Sequence, residues 1–407
     1  MRIGRTLPPA AAPLSWKNIL DSLRGGIRGK QEIKRFEREL KEYFQKRHCF
    51  LVSSGRAALT LILEALKERY PGRDKVLIPA FTCYSVPSAV TRAGLRVVLC
   101  DVAAGSFDYD FQKLRPLLAD ERLLCIVSQH LYGIAADLES LREMLGPSPV
   151  AIVEDAAQAM GATWKGRRLG AFGDVGFFSL GRGKPLSIVE GGVILTDRDD
   201  LAEILARRHG KLSDYCFREL STLFLYALAL RVFLNPALFW LPQGLPFLRL
   251  GETLYDPGFR IRKMSPLQGG MARGWAGRLA ELKEKRLANA EYWQGVESAG
   301  GFRPCFRKQG EGYDLLRYPI EVSDGGLRDW FVAEGSRLGL GMAPGYPDSI
   351  DGIDELKGDL RGQSYPEAKG LAKRLLTLPV HPLLSARDRN RIQRLLMKKS
   401  KGTSPWR

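Results

Sequence analysis

Histidine is scarce, with four in 407 residues. The six cysteines (Cys49, Cys83, Cys100, Cys125, Cys216 and Cys305) are scattered, with no Cys-x-x-Cys and only His48 beside one of them. That pattern argues against a zinc site and a disulfide framework, and fits reduced thiols in a cytoplasmic protein. Prolines interrupt the alanines of the first sixteen residues, so no apolar segment of signal-peptide length stands there. Internal repeats and low-complexity tracts are absent. Acidic residues are outnumbered, 45 against 62 Lys and Arg, giving a formal charge of +17 that favours anionic partners. No helix-turn-helix, paired metal ligands or basic tract interleaved with aromatics is legible, so nucleic acid is not expected as a partner. Most of these charges read as a solvated basic surface.

What is present is an ordinary globular composition, 45% hydrophobic and 26% charged. The length predicts a large domain and a smaller one, placed at 1–288 and 289–407. Gln31 to Phe44 reads as an amphipathic helix, Cys49 to Val52 as a strand, and Ala57 to Leu66 as a helix apolar on nearly every face, hence buried under a sheet. From Lys75 compact apolar runs alternate with helical stretches: Val76–Pro79, Val97–Asp101, Leu124–Ser128, Val150–Asp155, Val175–Leu180 and Gly192–Thr196. Such alternation predicts an α/β fold with a mostly parallel sheet and functional groups at the strand C-termini. The last part reads as helices with a few strands, Leu316–Val322 and Leu376–Val380 among them.

Asp155 ends one buried run and precedes Ala156-Ala157-Gln158-Ala159. Taken alone, an Asp between strand and helix is an N-cap. Downstream come Phe178-Ser179, a glycine-rich loop reaching Lys184, then Glu190-Gly191-Gly192 and a new strand. A lone Lys in so basic a chain carries no information. The conjunction does, because pyridoxal chemistry asks for a Schiff-base Lys, a carboxylate for the pyridinium nitrogen and donors for a phosphate.

These motifs, with Ser53-Ser54-Gly55-Arg56-Ala57-Ala58-Leu59, Ile78-Pro79-Ala80-Phe81-Thr82, His130-Leu131-Tyr132-Gly133 with Asp137, Met264-Ser265-Pro266-Leu267-Gln268 and Leu378-Pro379-Val380-His381-Pro382, resemble the DegT/StrS-type aminotransferases. The resemblance implies PLP fold type I, like aspartate aminotransferase, with a smaller C-terminal α/β domain. It also implies pyridoxal 5'-phosphate as cofactor and a homodimer. Lys184 would hold the cofactor and move protons; Asp155 would pair with the ring nitrogen, Gln158 would lie near the phenolic side, and Ser179 would donate to the phosphate. Gly55 and Arg56 open a helix whose N-terminus suits that phosphate, and Lys263 stands where a neighbouring subunit supplies a further phosphate contact. Cys83, with Tyr84 beside it, occupies the place where relatives stack an aromatic ring on the cofactor. His130, Tyr132, Tyr346 and His381 rank lower, as substrate-lining candidates.

The expected activity is transfer of an amino group from an amino acid such as glutamate to a keto sugar, nucleotide-linked or lipid-linked. Two alternatives stand beside it: a sugar dehydratase of the same family, in which His replaces the Lys, and a non-catalytic scaffold. One segment departs from the family, an apolar insertion at about 218–252 broken by Pro236, Pro242 and Pro246. Neither half reaches the ~20 uninterrupted apolar residues of a spanning helix. It is expected either to pack, on the large domain or in a dimer interface, or to lie on the inner membrane surface, flanked by Arg218, Arg249, Arg260, Arg262 and Lys263.

Overall fold

The chain is described by a computed structural model over residues 3–248, 250–298, 303–304, 314–358, 360 and 362–400, so Arg249 and Cys305 lie outside the described residues. The apolar runs become β1 (His48–Val52), β2 (Lys75–Pro79), β3 (Arg96–Cys100), β4 (Leu123–Gln129) and β5 (Ala151–Asp155), then a short hairpin of β6 (Thr163–Trp164) and β7 (Arg167–Arg168), then β8 (Val175–Ser179) and β9 (Gly192–Thr196). One seven-stranded sheet has the order β1-β9-β8-β5-β4-β2-β3. Its five strands β3, β2, β4, β5 and β8 run parallel, and β9 is antiparallel to β8 and to β1. All seven residues of β4 are buried, as continuous apolar runs in a sheet covered on both faces require. Parallel direction brings Pro79, Gln129, Asp155 and Ser179 to one edge.

The helix Gly55–Arg69 starts two residues ahead of the predicted Ala57, because Ser54 is extended and its Oγ accepts the Ala57 N–H at 3.2 Å. Ten of its residues are buried, including the unbroken run Ala57 to Leu63. A second, antiparallel sheet has the order β10-β11-β13-β12, from β10 (Arg303–Pro304), β11 (Arg317–Glu321), β12 (Ala343–Pro344) and β13 (Leu375–Pro379).

The helix Trp275–Ser298 spans both sheets. Trp275 packs with Phe36 in the core under the first, while the Trp293 indole donates to the Pro379 carbonyl at 3.0 Å beside the second. Between them Arg278, Lys283 and Arg286 donate to the carbonyls of Ser187, Gly161 and Pro185 at 2.7, 2.9 and 3.0 Å. The first residues are also built in: Arg5 pairs with Asp388 at 2.7 Å, and the Leu7 N–H donates to the Gly339 carbonyl at 3.0 Å.

The apolar insertion forms a helix, Phe217–Phe233, followed by the short turns Trp240–Gln243 and Pro246–Leu248. It packs through one narrow stripe, with only Leu223 and Ala227 buried in the helix, and Phe217 is 84% and Leu225 64% exposed. Among the described residues no helix is long and apolar enough to cross a membrane.

Candidate active site

Successive side chains of a strand face opposite ways, and the last two residues of β5 have correspondingly different surroundings. Glu154 is fully buried. It accepts from the N–H groups of Gly170, Phe172 and Gly173, the last two at 2.7 and 2.9 Å, and from His130 Nε2 at 2.7 Å. Because His130 Nδ1 accepts the Ala136 N–H at 3.0 Å, the ring hydrogen sits on Nε2, directed at Glu154. Burial alone would raise the Glu154 carboxyl; the hydrogen bonds from His130 and the backbone outweigh it and hold the group below the usual range. This buried carboxylate fixes the end of β4, the end of β5 and the loop 170–173 to one another.

Asp155 stands on the open edge. Burial pushes its carboxyl above the ordinary value, opposed by the Ala157 N–H, which donates to Oδ1 at 3.0 Å, and by the charge of Lys184. Lys184 is half-buried in the loop between β8 and β9. The backbone that follows it is held by Arg278 and Arg286, which donate to the carbonyls of Ser187 and Pro185. Among the described residues its amine makes no hydrogen bond.

Gln158 is held at both ends: Oε1 accepts the Tyr132 N–H at 3.1 Å, and Nε2 donates to the Tyr346 hydroxyl at 2.8 Å. Tyr132 adopts φ 57°, a left-handed conformation that costs a non-glycine residue on the order of 1 kcal/mol. The surroundings enforce it, since the Leu316 N–H donates to the Tyr132 carbonyl at 2.9 Å. Tyr346 is therefore part of the site, which the sequence ranked low. Its neighbours include Cys83, Tyr132 and Asp155.

At the end of β8, Ser179 lies against the first turn of the helix Gly55–Arg69, so close that a β-carbon on Gly55 would stand 3.2 Å from the Ser179 Oγ. The N–H groups of Gly55 and Arg56 have no partner among the described residues, leaving donors and the positive end of a helix dipole beside a hydroxyl. The other expected residues lie differently. The Arg56 guanidinium reaches Asp256 at 3.2 Å and lies 4.5 Å over the Phe259 ring. Lys263 donates to the Gly210 carbonyl of its own chain at 3.0 Å. Tyr84 is turned toward the Asp348 carbonyl, at 3.4 Å, while Cys83 donates to Ser85 Oγ at 3.2 Å. His130 serves Glu154, and His381 donates from Nε2 to the Pro8 carbonyl at 2.8 Å.

Asp155, Gln158, Ser179, the loop that carries Lys184 and the start of the helix Gly55–Arg69 all lie at the edge where the parallel strands end. The model of the DegT/DnrJ/EryC1/StrS aminotransferase family matches residues 16–396. The chain belongs to that family. It is 34% identical over 182 residues to GDP-perosamine synthase of Caulobacter vibrioides, a match that spans 45% of this chain and only about half, 48%, of that relative. To the L-glutamine:2-deoxy-scyllo-inosose aminotransferase of Streptomyces kanamyceticus it is 32% identical over 335 residues, covering 80% of this chain and 71% of that one. The fold matches PseC of Helicobacter pylori, an aminotransferase involved in the biosynthesis of pseudoaminic acid, with a TM-score of 0.79 over 98% of this chain and 100% of that one at 17% identity. The residues present fit the family's cofactor: a lysine amine with no hydrogen-bond partner among the described residues, a half-buried carboxylate, and a serine hydroxyl set against a helix start whose first N–H groups are likewise unpartnered among the described residues.

Proposed function

We propose that this chain transfers an amino group from an amino acid, glutamate foremost, to a keto sugar carried on a nucleotide or a lipid, with pyridoxal 5'-phosphate held by Lys184. Bound there, the cofactor supplies an electron sink for the carbon that gains or loses the amine. The observation carrying this reading is Lys184, whose amine makes no hydrogen bond among the described residues and whose charge acts on the half-buried Asp155. Lys184 moves the proton to and from the substrate carbon. Asp155 keeps a cationic ring nitrogen protonated, which burial of the carboxylate favours because its charge is then best satisfied by a cation. Gln158 orients the face above it, and Ser179 with the N–H groups of Gly55 and Arg56 binds the phosphate. The reading makes the active unit a homodimer working in the cytoplasm, with the surface amine of Lys263 available to a second copy, and light scattering should return twice the chain mass. Absorption spectra with added cofactor decide the chemistry: a visible band that requires Lys184 and disappears with glutamate supports it. If wild type forms no Lys184-dependent band at all, the scaffold alternative takes its place.

A second reading concerns the surface. The helix Trp16–Arg28 exposes Trp16, Leu20, Leu23 and Ile27, and the insertion exposes Leu225, Leu241 and Phe247; Arg231 lies 4.9 Å over the Trp16 ring, joining the two. With Lys17, Arg24 and Arg28 alongside, this favours peripheral contact with an anionic membrane face. Co-sedimentation with anionic vesicles that is unchanged by Leu225→Ser with Phe247→Ser would remove it.

A further inference from the structure

Arg317 opens β11 beside the candidate site, and it is the one arginine among the described residues with two wholly buried nitrogens, Nε and Nη2, that have no hydrogen-bond partner. Arg286, almost wholly buried, shows how this chain treats a buried guanidinium: it is bidentate to Asp314 at 2.8 and 2.7 Å and donates to a carbonyl with its third nitrogen. Three residues beyond Asp314, Arg317 has nothing equivalent. Burial pulls its pKa down to about 10, and the groups acting in the other direction are Tyr132 and Tyr346, neither of them a carboxylate. At neutral pH the side chain remains a cation.

A buried cation without an anion is costly to stability, so packing does not explain it. Its placement does. Tyr132 and Tyr346, the two groups that act on Arg317, are the two that hold Gln158, three residues from Asp155. The residue as a whole is half-buried, and the N–H of the preceding Leu316 donates to the Tyr132 carbonyl at 2.9 Å, which ties the start of β11 to the site. A planar guanidinium with unsatisfied adjacent donors matches a carboxylate, which it engages through two parallel hydrogen bonds.

We propose that Arg317 is a specificity-determining residue that binds the carboxylate of a substrate at this site, with Tyr132 and Tyr346 flanking it. The proposal rests on the aminotransferase reading for the identity of the substrate, whose carboxylate belongs either to the amino-acid donor or to an acidic acceptor.

Calorimetric titration with glutarate, a carboxylate that cannot react, tests the site without any turnover. Wild-type protein loaded with cofactor should bind glutarate, and Arg317→Met should bind it roughly tenfold to a hundredfold more weakly, the loss expected for a charge-assisted pair. Arg317→Lys, which keeps charge but not the fork, should fall between. Because Arg317→Met removes two unsatisfied nitrogens, its melting temperature should equal or exceed that of wild type; this separates the proposal from a structural role. Glutarate affinity unchanged in Arg317→Met overturns it, whatever the activity. In the donor half-reaction, a raised KM for glutamate in Arg317→Met identifies the donor as the source, and an unchanged glutamate KM with weakened glutarate binding assigns the site to an acidic acceptor. If no amino acid reacts with wild type, the aminotransferase reading fails while the carboxylate site is still decided by the titration.

Discussion

A β-carbon on Gly55 would stand 2.7 Å from the β-carbon of Ser179. The start of one helix and the end of β8 therefore touch through backbone, and that contact shapes the proposed phosphate cradle. Gly55→Ala should force the two apart and weaken cofactor retention by roughly tenfold or more, given overpacking costs of about 1–3 kcal/mol. Equilibrium dialysis of the cofactor against the variant checks this, and full retention would show that the phosphate binds elsewhere.

Lys184 and Asp155 should fail differently. Lys184→Ala removes the covalent hold and the proton carrier together, so the visible band disappears and turnover falls by about 100-fold to 10,000-fold. Asp155→Asn keeps Lys184 and should keep a Lys184-dependent band, while the glutamate half-reaction slows by roughly 100-fold or more. Stopped-flow spectra distinguish the two; an Asp155→Asn rate equal to wild type would remove the ring-nitrogen role.

Arg286 and Asp314 are both fully buried. Arg286→Met leaves the Asp314 carboxylate without a partner and frees the Pro185 carbonyl next to Lys184, so unfolding free energy should drop by about 3–5 kcal/mol. Adding Asp314→Asn should return part of that loss. Urea melts of the single and double variants check both statements, and strict additivity would contradict the pairing.

Burial pushes His381 from its ordinary 6.5 down to about 4. The unfolded chain therefore takes up a proton in that window that the folded chain refuses, so stability is full above pH 6.5 and declines as pH falls toward 4. The slope from this group is about 1.4 kcal/mol per pH unit. His381→Gln should flatten the stability profile between pH 6.5 and 4.5, measured by denaturant melts at several pH values. Equal slopes in the two proteins would assign the acid sensitivity to other groups.

Much of this was legible in the residues. Val76–Pro79, Val150–Asp155 and Val175–Leu180 are apolar runs that became β2, β5 and β8 within a residue or so, because a strand buried on both faces must be apolar throughout. Lys184, Asp155, Gln158, Ser179 and Gly55 share an edge because parallel strands all end there. What escaped was set by distant contact. Tyr346 could be ranked only low from the residues, because its contact is with Gln158, 188 positions away, and nothing local marks Arg317, whose distinction is a missing partner. The proline-rich opening residues gave no periodic signal, yet the Pro8 carbonyl holds His381. Arg56 and Lys263 matched motif positions, but their side chains follow the nearest acceptors, Asp256 and the Gly210 carbonyl.

The helix Trp275–Ser298 grips three carbonyls around the site with Arg278, Lys283 and Arg286, and is bonded at Trp293 to the end of β13. Mechanically it is a lever with one arm in each sheet. The carbonyls of Gly161, Pro185 and Ser187, which follow Gln158 and Lys184 in the chain, are thereby tied through one helix to the end of β13. One rigid element therefore sets the spacing between the second sheet and the loops that carry Gln158 and Lys184.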